Sequence, residues 1–317
     1  MSVRTVPMSG RQYEIRNGGY SAVIAGVGAS LRVLEHEGRG LVVPFEADQV
    51  RPAYRGATLA PWPNRVVDGR YVFAGVGHQL PLSEPARAHA LHGLMAWASW
   101  ETVEWEADRV TLAAVIEPQD GYPWRVRVQT TYVLDSNGLT QTVVAVNESG
   151  SVAPFGTGPH PYLVAGSGLV DEWTLLFRAD AVLLVTPDRL APVGVANVDT
   201  DPARFDFRDP KSLAGVDLDH AFTGLARDAS RLAEVRLTAS DGSGVRMSWG
   251  DSCPWVQIHT ADQPGGNADV SHRIGLAVEP MTCSPDAFNG LTGVDSGLLV
   301  LEPGGNATAS WCISAIE

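Results

Sequence analysis

Five residues stand where their chemistry would be usable: Arg65, His92, His160, Asp219 and Glu279. Glu279 is the most informative, because it ends the nearly continuous apolar run 274–278. A carboxylate there either lines a cleft or is paired, and burial would raise its pKa toward that of a useful base. His92 lies in Leu91-His92-Gly93 and His160 in the stretch 156–162. Imidazoles at such positions can exchange a proton near neutrality, although each alone would as readily be a hydrogen-bonded structural histidine. Arg65, in the stretch 56–69 with Trp62 and Asn64, offers a planar set of donors, or else holds a turn or a surface pair. Asp219, in 216–222, offers acceptors, or else caps a loop. A carboxylate and imidazoles among fixed donors and acceptors suit general acid–base chemistry.

These stretches are dense in Gly, Pro and polar residues, the composition of loops that carry sites on rigid sheets. The strands that must hold them are legible between. In 125–134, Val126, Val128, Thr130, Tyr132 and Leu134 alternate with Arg125, Arg127, Gln129 and Thr131, so one face is buried and one wet. Asn137-Gly138 supplies a positive-φ turn, and 139–147 returns as a second β-branched run. A second hairpin joins 234–239 to 245–249 across 241–244, with Val235, Leu237, Val245 and Met247 on its apolar face. Further short runs at 20–25, 31–36, 100–105, 110–117, 173–177, 255–260, 274–279, 297–302 and 309–316 predict a large antiparallel β-sandwich. Helical periodicity is expected only over 285–289, with Ser284 as cap and Pro285 at the first position. No low-complexity linker or repeat divides the 317 residues, so a single domain over 1–317 is expected.

Composition narrows the function by exclusion. The formal charge of −13, without a basic stripe, opposes attraction to nucleic acid or anionic membranes. A single lysine, Lys211, reflects coding bias rather than function. The three cysteines Cys253, Cys283 and Cys312 are an odd count without close pairing, as expected of reduced thiols in the cytoplasm. The first 19 residues lack the layout of a signal peptide, and nowhere do 18 apolar residues run together. The sequons at Asn147 and Asn306 are therefore chance matches. Zinc-protease, Walker, serine-hydrolase and dinucleotide motifs are missing; Gly26-Val27-Gly28 lacks the third glycine of the last.

Taken in chain order, Ala60-Pro61-Trp62-Pro63-Asn64-Arg65, Leu91-His92-Gly93, Pro159-His160-Pro161-Tyr162, Asp219-His220-Ala221-Phe222, and Glu279-Pro280 with Pro285-Asp286-Ala287-Phe288-Asn289 resemble the aldose 1-epimerase (galactose mutarotase-like) family over nearly the whole chain. The resemblance implies a large antiparallel β-supersandwich with few short helices and a sugar cleft on one sheet. It implies Glu279 as general base and His160 as general acid, with His92, Arg65 and Asp219 binding hydroxyls. Whether His92 or His160 is the principal donor stays open. Tyr162, Asn64 and Trp62 are placed beside the sugar; Trp62 would stack on a sugar face or serve equally as a core residue. Two departures from the galactose mutarotases stand out. Thr157-Gly158-Pro159 precedes the His-Pro-Tyr stretch, and Met281-Thr282 follows Glu279-Pro280 where that branch has Gln. The Pro-Trp-Pro-Asn-Arg stretch is closer to a bacterial branch that includes mutarotases of modified hexoses such as sulfoquinovose.

The implied reaction interconverts α and β anomers of a free aldohexose or modified hexose. A base takes the anomeric hydroxyl proton, an acid protonates the ring oxygen, the open aldehyde turns about C1–C2, and the ring recloses. Acid and base are expected to lie on opposite sides of the anomeric centre and to arrive from far-apart segments. The chemistry calls for no cofactor and no metal. The expected partner is a monosaccharide, with neither nucleic acid nor membrane, and the chain is expected to be a cytoplasmic monomer or homodimer. Two other readings are a non-catalytic carbohydrate-binding or regulatory module and a hexose-phosphate epimerase. The second would need further arginines, of which Arg55-Gly56 is a faint echo.

Overall fold

The computed structural model describes residues 6–317. The two hairpins read from the sequence form the middle of a nine-stranded antiparallel sheet. Its order is Glu101–Trp105, Arg109–Ile116, Val126–Asp135, Gly138–Asn147, Asn306–Ile316, Gly244–Trp249, Ala233–Thr238, Thr174–Phe177 and Lys211–Ser212. The Asn137-Gly138 turn sets the register, with Asp135 opposite Gly138 and Val128 opposite Ala145. The C-terminal strand Asn306–Ile316 bridges the hairpins, pairing with Gly138–Asn147 on one side and Gly244–Trp249 on the other.

A second sheet has six strands in the order Tyr162–Leu163, Leu276–Met281, Trp255–His259, Asp219–Leu225, Ala179–Val185 and Pro192–Asn197. Side chains alternate across a strand, so each of these strands presents two different faces. Phe222, Val256, Ile258, Leu276 and Val278 turn into the main core, where they join Val235, Leu237, Val245, Met247, Trp311 and Ile313 of the nine-stranded sheet. The sandwich is held by this shared apolar interior. A four-stranded sheet, Gln12–Asn17, Tyr20–Ala25, Ser30–His36 and Arg39–Gly40, adds Ile15, Ala22, Ile24 and Leu34 to the same core.

Helix is scarce, and its place differs from the expectation. Residues 285–289 form a turn, because Asp286 adopts φ +57, outside the helical region. The turn acts as a brace. Asp286 N donates to Arg65 O (2.7 Å), its carboxylate accepts from Val67 N (2.9 Å), and Phe288 packs on Trp62 and Tyr71. The α-helix among the described residues is the single turn Pro202–Phe205, with Asp201 capping Arg204 N and Pro202 opening it. Cys253, Cys283 and Cys312 are unbridged. The side-chain nitrogen of Asn147 is engaged by Ser151 O and Leu301 O, both at 2.8 Å. No helix of the described residues is long and apolar enough to cross a membrane.

Candidate active site

The face of the six-stranded sheet turned away from the main core carries the odd-numbered residues of the strands Leu276–Met281 and Trp255–His259, Asp219 and Ala221 of the strand Asp219–Leu225, and Tyr162. Glu279 stands opposite Gln257, and Asp219 opposite His259, which in turn faces Ala277 beside Tyr162. The four polar groups thus share one surface by register alone. Two small apolar clusters lie on the same side, Tyr162 with Val43, Ala261 and Ala277, and Ala221 with Leu183, Trp255 and Met281. His220, one residue along from Asp219, points the other way, against Phe205 (ring centroids 5.0 Å).

His160 arrives on a segment stapled to the end of the Glu279 strand. Thr157 N donates to Thr282 Oγ1 (2.9 Å), Thr282 N donates to Thr157 O (3.0 Å), and Thr157 Oγ1 donates to Leu59 O (2.7 Å). The two positions that depart from the galactose mutarotase pattern therefore hold each other. A Cβ at Gly158 would lie 2.7 Å from Pro280 O, so glycine permits the close approach. The outcome is an imidazole Nε2 3.5 Å from Glu279 Oε1, with both side chains almost fully buried. Neither His160 Nδ1 nor Glu279 Oε2 has a hydrogen-bond partner.

His92 follows the strand His89–Leu91, which pairs with Arg65–Val67. Its φ is +60 and that of Gly93 is +73, and a Cβ on Gly93 would stand 2.1 Å from Ala60 O. Only glycine closes this turn. His92 N donates to Asn64 O (2.8 Å) and Asn64 N donates to His92 Nδ1 (3.2 Å). The Nδ1 is thus an acceptor, and the neutral ring carries its proton on Nε2. His92 meets His160 edge-on at 4.8 Å, and Tyr54 covers both rings at 4.7 and 6.2 Å.

Arg65 is held in a fork. Its Nε and Nη2 donate to the two Glu84 oxygens (2.8 and 3.1 Å), Asp219 Oδ2 stands 3.8 Å from Nη2, and Asn64 Oδ1 accepts from Arg65 N (2.9 Å). Asp219 is further tied by Gln257, whose Nε2 donates to Oδ1 at 2.6 Å. An ionised carboxylate only accepts, so this bond orients the Gln257 amide and leaves its Oε1 buried and unpartnered.

Burial and charge divide the protons. Burial, reinforced by the negative charge of Asp219 and opposed by Arg65, raises the Glu279 carboxyl well above the usual range. Burial likewise lowers His160 to about 3 and holds His92 well below its ordinary value, with the neighbouring His160 adding to the latter. Asp219 behaves oppositely. Burial pushes it up, but His259, Arg65 and the Gln257 hydrogen bond outweigh this, and it stays below the ordinary carboxylate value. The two carboxyl groups of one site are therefore pushed in opposite directions. The donor atoms of His92, His160 and Glu279 all lie within 4.8 Å of one another, and two imidazoles with a carboxylate are where a divalent transition ion would bind.

Of the residues singled out in the sequence, Glu279, His160, His92, Arg65, Asp219 and Tyr162 come together, with Tyr162 5.3 Å from His160. Asn64 serves this cluster through its backbone and its grip on Arg65. Trp62 takes the core alternative: its Nε1 donates to Ala90 O (3.2 Å) and its ring packs on Phe288. Glu84, Gln257, His259 and Tyr54 were missed. Alternation along 255–260 would have placed Gln257 and His259 on the face opposite Val256 and Ile258, whereas Glu84 and Tyr54 lie in loops without a periodic signal.

With this geometry in view, sequence comparison is decisive: the aldose 1-epimerase family model matches residues 11–312. The chain belongs to the aldose 1-epimerase family. It is 34% identical over 305 residues to the uncharacterized protein YihR of Escherichia coli K12, covering 96% of this chain and 93% of YihR. It is 26% identical over 288 residues to galactose mutarotase of Mus musculus, covering 82% of this chain and 80% of that one. The crystal structure of a GalM/aldose epimerase homologue from C. elegans superimposes with TM-score 0.81 at 23% identity, covering 97% and 99% of the two chains, which shows the common fold. This aldose 1-epimerase is thus an isomerase of the mutarotase type.

Proposed function

We propose that this enzyme interconverts the α and β anomers of a free aldohexose or a modified hexose, with Glu279 as general base and His160 as general acid. The supporting observation is the buried His160 Nε2 and Glu279 Oε1 facing each other at 3.5 Å. That separation is too long for a good hydrogen bond, yet it suits two groups that each grip one of two oxygens on a single carbon. O1 and O5 are such a pair, so acid and base work side by side rather than, as expected from the sequence, on opposite sides of the anomeric centre.

Ring opening moves one proton at each group. Glu279 takes the O1 proton as C1=O1 forms, the C1–O5 bond breaks, and O5 takes the proton from His160. An ion pair becomes a neutral carboxyl and a neutral imidazole. At rest the dyad keeps its proton on Glu279, so the ion pair is its minor tautomer, formed by passing the proton to His160. Burial favours the neutral pair to which ring opening returns it. Rotation about C1–C2 and the reverse transfers give the other anomer and restore the pair. His92 is not opposed to Glu279 and offers a fixed Nε2–H to a sugar oxygen, which favours His160 as the proton donor. Arg65 donates to hydroxyl oxygens while Asp219 and Gln257 Oε1 accept hydroxyl protons.

The direct test is exchange NMR at anomeric equilibrium across a panel of reducing sugars, neutral and anionic. Acceleration over buffer is expected for at least one. Binding without acceleration would sink the proposal and leave a carbohydrate-binding module.

A further inference from the structure

We infer that His259 determines specificity in this cleft by accepting a hydroxyl proton on the side of the pyranose away from the anomeric carbon. The inference rests on the proposed mutarotase activity and concerns a residue with no part in its proton transfers. His259 directly opposes Asp219 on the next strand and shares the face of Gln257 and Glu279. Crossing one strand and advancing two residues separates its Cα from that of Glu279 by about 8 Å. A hexopyranose engaged at C1 by Glu279 and His160 then lays its far side over His259.

The backbone sets the tautomer of the ring. Its Nδ1 stands 3.1 Å from Leu218 O, and a carbonyl only accepts, so Nδ1 carries the hydrogen. The strand ends are fixed around it, since Leu218 N donates to Thr260 Oγ1 at 2.9 Å. In the neutral ring Nε2 is a bare acceptor, and among the described residues it makes no hydrogen bond. The side chain is only partly buried, so the lone pair is open to a guest. Each sugar hydroxyl both donates and accepts. Arg65 and His92 Nε2–H supply donors, while Asp219, which already accepts from Gln257 Nε2, and the unpartnered Gln257 Oε1 supply acceptors. His259 Nε2 adds a further acceptor on the far side, and an acceptor left unpaired by a deoxy sugar is what gives a site selectivity.

The experiment compares wild type with His259→Phe and His259→Gln, using D-glucose, D-galactose and their monodeoxy analogues, by exchange NMR. His259→Phe is expected to lower kcat/KM for the preferred parent sugar about tenfold, through KM with kcat nearly kept. The loss should vanish for the one analogue that lacks the recognised hydroxyl, and His259→Gln should recover part of it. Equal loss on every sugar, or none, overturns the inference. Should the Phe variant fold poorly, imidazole 15N shifts of the wild type decide: saturation with an equilibrated sugar must move the His259 Nε2 resonance, and an unmoved resonance overturns the inference. A wild type that accelerates none of these sugars and none of the wider neutral and anionic panel defeats the proposed activity, a result distinct from either.

Discussion

His160 Nε2 and Glu279 Oε1 face each other at 3.5 Å, with Glu279 2% and His160 5% exposed. Burial pushes the pair toward its uncharged form. The dyad therefore holds one exchangeable proton, which is what the proposed acid–base exchange at one hemiacetal carbon requires.

Replacing Glu279 by Gln keeps the shape and removes the base. Activity should fall by about 10³-fold or more, in kcat rather than KM. Anomer exchange measured on purified Glu279→Gln checks this, and a variant within tenfold of wild type would discount Glu279 as the base.

The same substitution should stabilise the fold. A carboxyl whose folded pKa lies above its unfolded value contributes stability fully present below the unfolded pKa and lost as pH rises toward the folded one. An amide, which does not ionise, escapes that loss. Thermal melts of Glu279→Gln against wild type should show a higher Tm at pH 7 to 8, with the difference closing below about pH 4, the ordinary glutamate value. Stability is exchanged for a poised base.

The pH–rate profile should be broad. Activity needs the dyad with one proton, so the acid limb reflects uptake of a second proton by His160, lowered to about 3, and the alkaline limb loss of the proton held by the raised Glu279. kcat/KM above the buffer rate should be flat through neutrality. A profile breaking near the ordinary histidine value, about 6.5, would contradict the burial of His160.

Glu84 orients Arg65 without reaching the reacting atoms. Glu84→Ala should raise KM about tenfold, or about 1.4 kcal/mol of binding, with kcat changed less, because Arg65 loses the carboxylate that fixes its fork. Steady-state exchange kinetics separate the two constants.

Gly93→Ala should destabilise by more than about 2 kcal/mol, since it combines positive φ with a Cβ 2.1 Å from Ala60 O. Thr157→Val should cost about 1 kcal/mol and lower kcat as His160 shifts. Denaturant melts and rates on both variants test these values.

Much of the fold was legible because alternation is a local signal. The apolar residues of 126–134 and 235–249 announced hairpins whose partners and register the structure bears out, and Asn137-Gly138 announced its own turn. Where a local rule met a tertiary demand, the local rule lost. Ser284-Pro285 reads as a helix start, but Asp286 is needed to brace Arg65 and Val67 and takes positive φ to do so.

Glu279, His92 and His160 stood out in the sequence as candidates, a carboxylate ending an apolar strand and histidines among glycines and prolines, and their proposed roles came from the family resemblance. Their meeting was not legible there. Glu279 and His160 are brought together by strand register and by the Thr157–Thr282 contact, 125 positions apart in the chain. The same holds for the protonation of the pair, which depends on burial beneath Tyr54, Tyr162 and the sheet. Sequence specifies which groups are present; only tertiary packing sets how far they stand apart and how much water reaches them, and those two quantities decide a pKa.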